Sequence, residues 1–261
     1  LGGGCLARAV TGCTNLKDPM TNIGKPALSA DGLHLYVPDR GTGSLVVFDR
    51  NPTTGVLTER GCYSCAAVAG ASPACTVVGV TPLQNATAVA VSRDGNSLYV
   101  VGGSGATSGI AHFTLAPDGT PAFDSCFNGN GTAPCGNMGI FNGANPSSVA
   151  VVETTSVYVG TRNGTVVVFK RNPTTGALNQ VGLSNAERCL KAVADGNGCS
   201  VVEHFSTITD IAATPDGKQL LVASPDCGNL CAYALIALDR NANTSVLTRH
   251  DPTGTTGCIA G

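Results

Sequence analysis

Tryptophan is missing from this chain of 261 residues, and charge is scarce, at 12% of the total. An ordinary soluble protein carries about a quarter charged residues. The missing Trp excludes repeats marked by a Trp-Asp signature. A net charge of −2 excludes a basic field for nucleic acid or an anionic membrane. No apolar run approaches the roughly 20 residues of a membrane helix. Helical periodicity is nearly absent; only Ser184 to Ala194 predicts a helix, of one or two turns.

Chemistry is sparse as well. No G-x-S-x-G elbow occurs. The stretch "GGSGATSG" from Gly102 to Gly109 lacks the lysine and following helix of a phosphate loop and reads as a long hairpin turn. "DGNG" at Asp195 and "NGNG" at Asn128 have too few carboxylates for calcium and read as turns. His34, His112, His204 and His250 stand at unlike strand positions. His34 alternates with Leu33 and Leu35 and is expected to point outward from its strand. Glu203 and His204 are adjacent on a strand, so they face opposite ways and do not cooperate easily. The expectation is no catalytic set, no metal site and no cofactor.

What the chain does have is repetition. "FDRNPTTGVLT" at Phe48 returns as "FKRNPTTGALN" at Phe169. The longer frames "ALSADGLHLYV", "AVAVSRDGNSLYV", "SVAVVETTSVYV" and "DIAATPDGKQLLV" place Tyr36, Tyr99, Tyr158 and Leu221 in register, at steps of 63, 59 and 63 residues. Each repeat parses into short alternating strands separated by Gly-bearing turns, with Pro52 presetting φ and Gly55 supplying a positive φ. Tandem antiparallel repeats of this kind predict an all-β fold. The expected architecture is one β-propeller domain over 1–261, of four four-stranded blades at about 26–61, 86–124, 147–182 and 206–250. A fragment of a larger propeller is the second reading. The chain opens on Leu1 rather than Met, so a processed form or a piece of something longer is expected.

The pattern S-x-D-G-x-x-L-Y-V, followed by V-x-V-F-D-R and T-G-x-L-T, resembles the YVTN-type, lactonase-like β-propeller family. The resemblance covers about Pro26 to Thr248. It weakens in the third repeat, which has Thr154-Thr155 for Asp-Gly, and in the fourth, which has Leu221 for Tyr. It implies the fold, and it implies lactonase-like hydrolysis only as one of several uses of such a fold.

Twelve cysteines fall almost entirely in the segments between repeats. Cys62-x-x-Cys65 has zinc spacing, but no second pair and no nearby His follow it, so disulfides in an oxidising compartment are expected. Expected pairs are Cys126–Cys135, Cys189–Cys199, Cys227–Cys231 and Cys65–Cys75, with Cys62 unassigned. Closing a ten-residue loop stabilises by roughly 2–3 kcal/mol in the chain-entropy model. Cys258 is expected to latch a closed ring by joining Cys13, with Cys5 the competitor and a neighbouring subunit the alternative. Asn85, Asn130, Asn163 and Asn243 each open an N-x-S/T sequon and are candidate glycan sites. Together these features predict a secreted or cell-surface, non-enzymatic structural or interaction module, such as a filament or sheath subunit. Its partners would be copies of itself or cell-surface proteins and glycans, with no nucleic acid and no membrane insertion. The alternatives are a glycan- or peptide-binding propeller and a lactonase-like hydrolase.

Overall fold

Each alternating run in the repeats is a strand, and each Gly-bearing turn reverses the chain. The computed structural model describes residues 5–7, 11, 13–67, 69, 74–180, 182–193, 198–202, 205–224, 234–250 and 258–260. Within them the protein is all-β, with four large sheets and one two-stranded pair. The first sheet comprises Ala27–Leu28, His34–Asp39, Ser44–Arg50, Leu57–Ser64 and Thr76–Val77. The second comprises Ala88–Val91, Ser97–Gly102, Gly109–Leu115, Pro121–Asn128 and Gly136–Asn137. The third comprises Pro146–Val152, Ser156–Thr161, Thr165–Arg171, Cys189–Lys191 and Ser200–Val201, with Leu178–Asn179 beside Thr165–Arg171. The fourth comprises Asp210–Ala213, Gln219–Ser224, Ala234–Arg240 and Leu247–Arg249, with Cys258–Ala260 also paired to Ala234–Arg240. The helix expected after Ser184 is a single turn, Asn185–Arg188, on whose first turn the Glu187 carboxylate accepts the Ser184 amide at 2.7 Å.

The sheets exceed the four strands expected. In the first three, a short fifth strand lies parallel to the fourth. A disulfide explains it. Cys62–Cys75, Cys126–Cys135 and Cys189–Cys199 each clip the outgoing fourth strand to the returning fifth. Cys5–Cys13 does the same for the parallel pair Leu6–Ala7 and Thr14–Asn15. In all four clips the two residues after the first cysteine pair with the two after the second.

This common geometry corrects two expected pairings. Cys62, not Cys65, bonds Cys75, and Cys65 is a half-buried free thiol. Cys62 lies inside the paired strand opposite Val46, beside the returning chain, whereas Cys65 lies past the strand's end. Cys13 is taken by Cys5, eight residues away, so the ring latch from Cys258 to Cys13 is not made. The backbone of Cys258 pairs with Ile236, as that of Cys189 pairs with Val167; its side chain, like Cys227 and Cys231, lies outside the described residues.

Apolar cores lie between successive sheets. Tyr36, Leu45 and Val47 of the first meet Leu98, Val100 and Phe113 of the second. Tyr99, Val101 and Ile110 meet Val157, Val159 and Phe169 of the third. Tyr158, Val166 and Val168 meet Leu220, Val222 and Ile236 of the fourth. The other face of the first sheet, with Val37, Val46 and Phe48, is covered by Leu16 and Met20 of the N-terminal segment. Among the described residues no apolar core joins the fourth sheet to the first.

The repeated words of the sequence are the locks between these sheets. The hydroxyls of Tyr36, Tyr99 and Tyr158 donate to the carbonyls of Gly119, Gly176 and Ser245, each in the turn after the third strand of the next sheet. In "NPTTG" the Asn172 side chain accepts the amides of Thr174 and Thr175, and the Gly176 amide closes on the Asn172 carbonyl. Gly176 has φ +76°, and a Cβ there would collide with Ser97 and His112 of the preceding sheet. The arginine before the turn completes the lock. Arg171 donates to Tyr99 Oη at 2.9 Å and pairs with Asp94 at 2.8 Å; Arg240 pairs with Glu153 at 3.0 Å.

Candidate functional site

Lys25, Thr87, Ser147 and Thr209 lie at or just before the start of the first strand of each large sheet. The Lys25 amide donates to the Thr87 carbonyl at 2.8 Å. The Thr87 hydroxyl donates to the Pro146 carbonyl at 2.8 Å, and that of Ser147 to the Ile208 carbonyl at 2.6 Å. Lys25 then reaches the fourth sheet, donating to the Thr209 carbonyl at 2.5 Å and pairing with Asp210 at 2.7 Å. One side chain thus links the first sheet to the fourth, where no apolar core of the described residues does. A cavity of about 280 Å³ opens here, lined by these groups with Asn22, Arg40 and Arg162. Arg40 Nε is buried there without a hydrogen-bond partner. The cavity therefore carries an excess of cationic groups, which suits an anionic or carboxylate-bearing small molecule.

A second constellation sits between the second and third sheets. Asp124 faces His112 Nδ1 at 3.0 Å, and His112 Nε2 faces Ser97 Oγ at 3.1 Å. The three come from adjacent strands, and the order is that of a nucleophilic triad. Burial decides against that chemistry. Ser97 is 1% and His112 is 2% exposed, and Gly176 seals them from outside. Arg171 also donates to Ser97 Oγ at 3.0 Å, which lowers its nucleophilicity. Desolvation pushes the His112 pKa down against the pull of Asp124. The cluster fastens one sheet to the next.

The other histidines pair with aspartates too. His34 Nδ1 lies 3.0 Å from Asp49, and His250 Nδ1 2.8 Å from Asp239. His34 does not point freely outward: its side chain is 12% exposed, because Gly119 of the next sheet packs against its ring. Glu203 and His204 lie outside the described residues. Asn85, Asn130, Asn163 and Asn243 are all exposed. The Asn130 side chain accepts both the amide and the hydroxyl of Thr132. Among the described residues, Asp18, Cys62 and Cys75 cluster as metal ligands would, but both sulfurs are spent in a disulfide and offer no thiolate.

No protein-family model matches the chain, and no curated protein matches its sequence. Solved structures do match in shape. A Bacteroides uniformis protein assigned as a 6-phosphogluconolactonase superimposes with TM-score 0.62 at 15% identity, over 93% of this chain and 59% of its own. A similarly assigned Bacteroides fragilis protein gives 0.61 at 19%, over 91% and 55%. The Pseudomonas aeruginosa periplasmic gluconolactonase PpgL gives 0.56 at 16%, over 90% and 55%. The fold is therefore similar to that of lactonase-like propellers, and this chain spans a little over half the length of those proteins.

Proposed function

We propose that the chain is a run of four blades of the lactonase-like propeller kind. It works in an oxidising, extracytoplasmic compartment as a structural or interaction module. The observation that carries this reading is the face of the fourth sheet that no apolar cluster of the described residues covers. Leu221, Ala223 and Ala237 are only partly covered, and Leu235 is 43% exposed. The occupant we assign is the N-terminal end of a second copy, its segment around Leu16 and Met20 together with the first sheet that this segment covers. That sheet exposes Leu33 and Val56 and holds Arg50 and Gly55 in the same turn that elsewhere receives a neighbour. Head-to-tail contact of this type builds a ring where the rotation closes and a filament or sheath where it does not, and the filament or sheath is the assembly we assign. Leu221 lacks the tyrosine hydroxyl, so the contact between copies is weaker than the contacts within one. Four disulfides support export, and a periplasmic neighbour in shape agrees with it. Sedimentation velocity over a concentration series tests the assignment. Association that Leu235→Lys abolishes supports it; a monomer at every concentration overturns it.

The cationic cavity favours a second reading, in which the module binds a sugar acid or hydrolyses its lactone. Turnover of gluconolactone by the pure chain, lost in Arg40→Ala, would establish that reading in place of the first.

A further inference from the structure

The N-terminal segment brings a carboxylate to a place with no compensating charge. Asp18 is 3% exposed, and both of its carboxylate oxygens are buried without a hydrogen-bond partner. Glu59, from the fourth strand of the first sheet, is the acid against it. Its Oε1 is likewise buried and unpartnered, while Oε2 accepts the Lys17 amide at 2.7 Å. The Cys62–Cys75 disulfide forms the adjoining wall, and Leu16 and Phe48 belong to the apolar cluster around it. Lys17, exposed at the surface, draws the Asp18 pKa down, but its pull is weaker than those of burial and Glu59.

Two carboxyl groups in such contact cannot both ionise. A divalent cation is a poorer answer than a proton, because calcium takes about six to eight oxygens and three are free here. We propose that Asp18 and Glu59 share one proton, and that this proton makes the docking of the N-terminal segment on the first sheet sensitive to pH. Geometry sets the direction. Burial first, then the hydrogen bond to Glu59 that a shared proton makes and the charge of Glu59, push the Asp18 carboxyl up from 3.8 to about 7. The docked form holds a proton that the released form gives up, so docking is strongest in acid. It weakens as pH rises from about 4 to about 7 and is level above that. Release uncovers Val37, Val46 and Phe48, the apolar side of the first sheet.

Hydrogen exchange of the full chain across this window tests the proposal, with rates corrected for their intrinsic pH dependence. The reporters are the amides of Leu16, which donates to the Ala7 carbonyl, and Lys17. The expected result is a loss of protection of about five hundredfold between pH 4 and 8, from the size of the shift. Glu59→Gln is expected to remove most of that dependence, since an amide can donate to an ionised Asp18. Asp18→Asn is expected to abolish it. Should Asp18→Asn fail to fold, the carboxyl carbon-13 resonance of Asp18 in the native chain gives the answer directly. An Asp18 midpoint below about 5 overturns the proposal, as does an equal pH dependence in wild type and Glu59→Gln. Millimolar calcium that restores full protection at pH 8 also overturns it, by placing a cation where we place a proton.

Discussion

The third and fourth sheets are written in the same repeat and live in different surroundings. Ser156–Thr161 is buried at every residue, whereas Gln219–Ser224 alternates half-buried with buried. Thr165–Arg171 is buried at all but Lys170, whereas Ala234–Arg240 has Leu235 exposed and Ala237 and Asp239 half-buried. The third sheet has a neighbour on each face; the fourth has one on a single face among the described residues. The lesson concerns cooperativity. A sheet of this kind is half-finished alone, and its stability is shared with whatever lies on either side.

That contrast can be broken experimentally, beginning with the largest effect. Leu238 faces the third sheet and is fully buried, so Leu238→Ala should cost roughly 2–5 kcal/mol in chemical denaturation. Leu235→Ala, on the open face of the same strand, should stay within about 0.5 kcal/mol. Equal costs would mean that the open face is covered. Arg171→Ala should come close behind, at about 2 kcal/mol, because it removes the buried donor to Tyr99 and Ser97 and the pairing with Asp94, which keeps Ser92 and Asn96 as partners. Tyr158→Phe should cost about 1 kcal/mol by deleting the bond to Ser245, whereas Leu221→Phe should change little. The smallest effect is expected from pH. Burial lowers the His112 pKa, so the folded chain binds fewer protons there than the unfolded chain does. Stability from this group is complete above about pH 6.5 and declines as pH falls below it. His112→Gln should flatten that part of the stability profile.

Much of this was legible in the order of residues. Period-two alternation and the register of Tyr36, Tyr99 and Tyr158 locate the second strands, and the Gly-bearing turns locate the reversals. The fifth strands were not legible, because a two-residue strand such as Thr76–Val77 has no period to detect. The pairing of Cys62 had a signal that went unread: it lies seven residues after Gly55, as Cys126 lies seven after Gly119. The Ser97, His112 and Asp124 cluster could not be seen without strand register, which alone brings residues from three strands together. The group around Lys25 was equally hidden, since Lys25 and Asp210 meet only after all four sheets have been laid in place. The acid contact between Asp18 and Glu59 depends in the same way on where the N-terminal segment comes to rest.

The disulfide clips have a consequence for manufacture. Each joins cysteines 8 to 13 residues apart, inside its own repeat. In an oxidising compartment each clip can close as soon as its own two cysteines are present, whether or not the next pair has arrived. Closure within 13 residues costs less chain entropy than closure to a distant clip, so pairing between clips is disfavoured, and Cys65 is the local competitor in the first sheet. Lengthening such an array by further repeats therefore adds cysteines without adding a pairing problem, and quality control can proceed one repeat at a time.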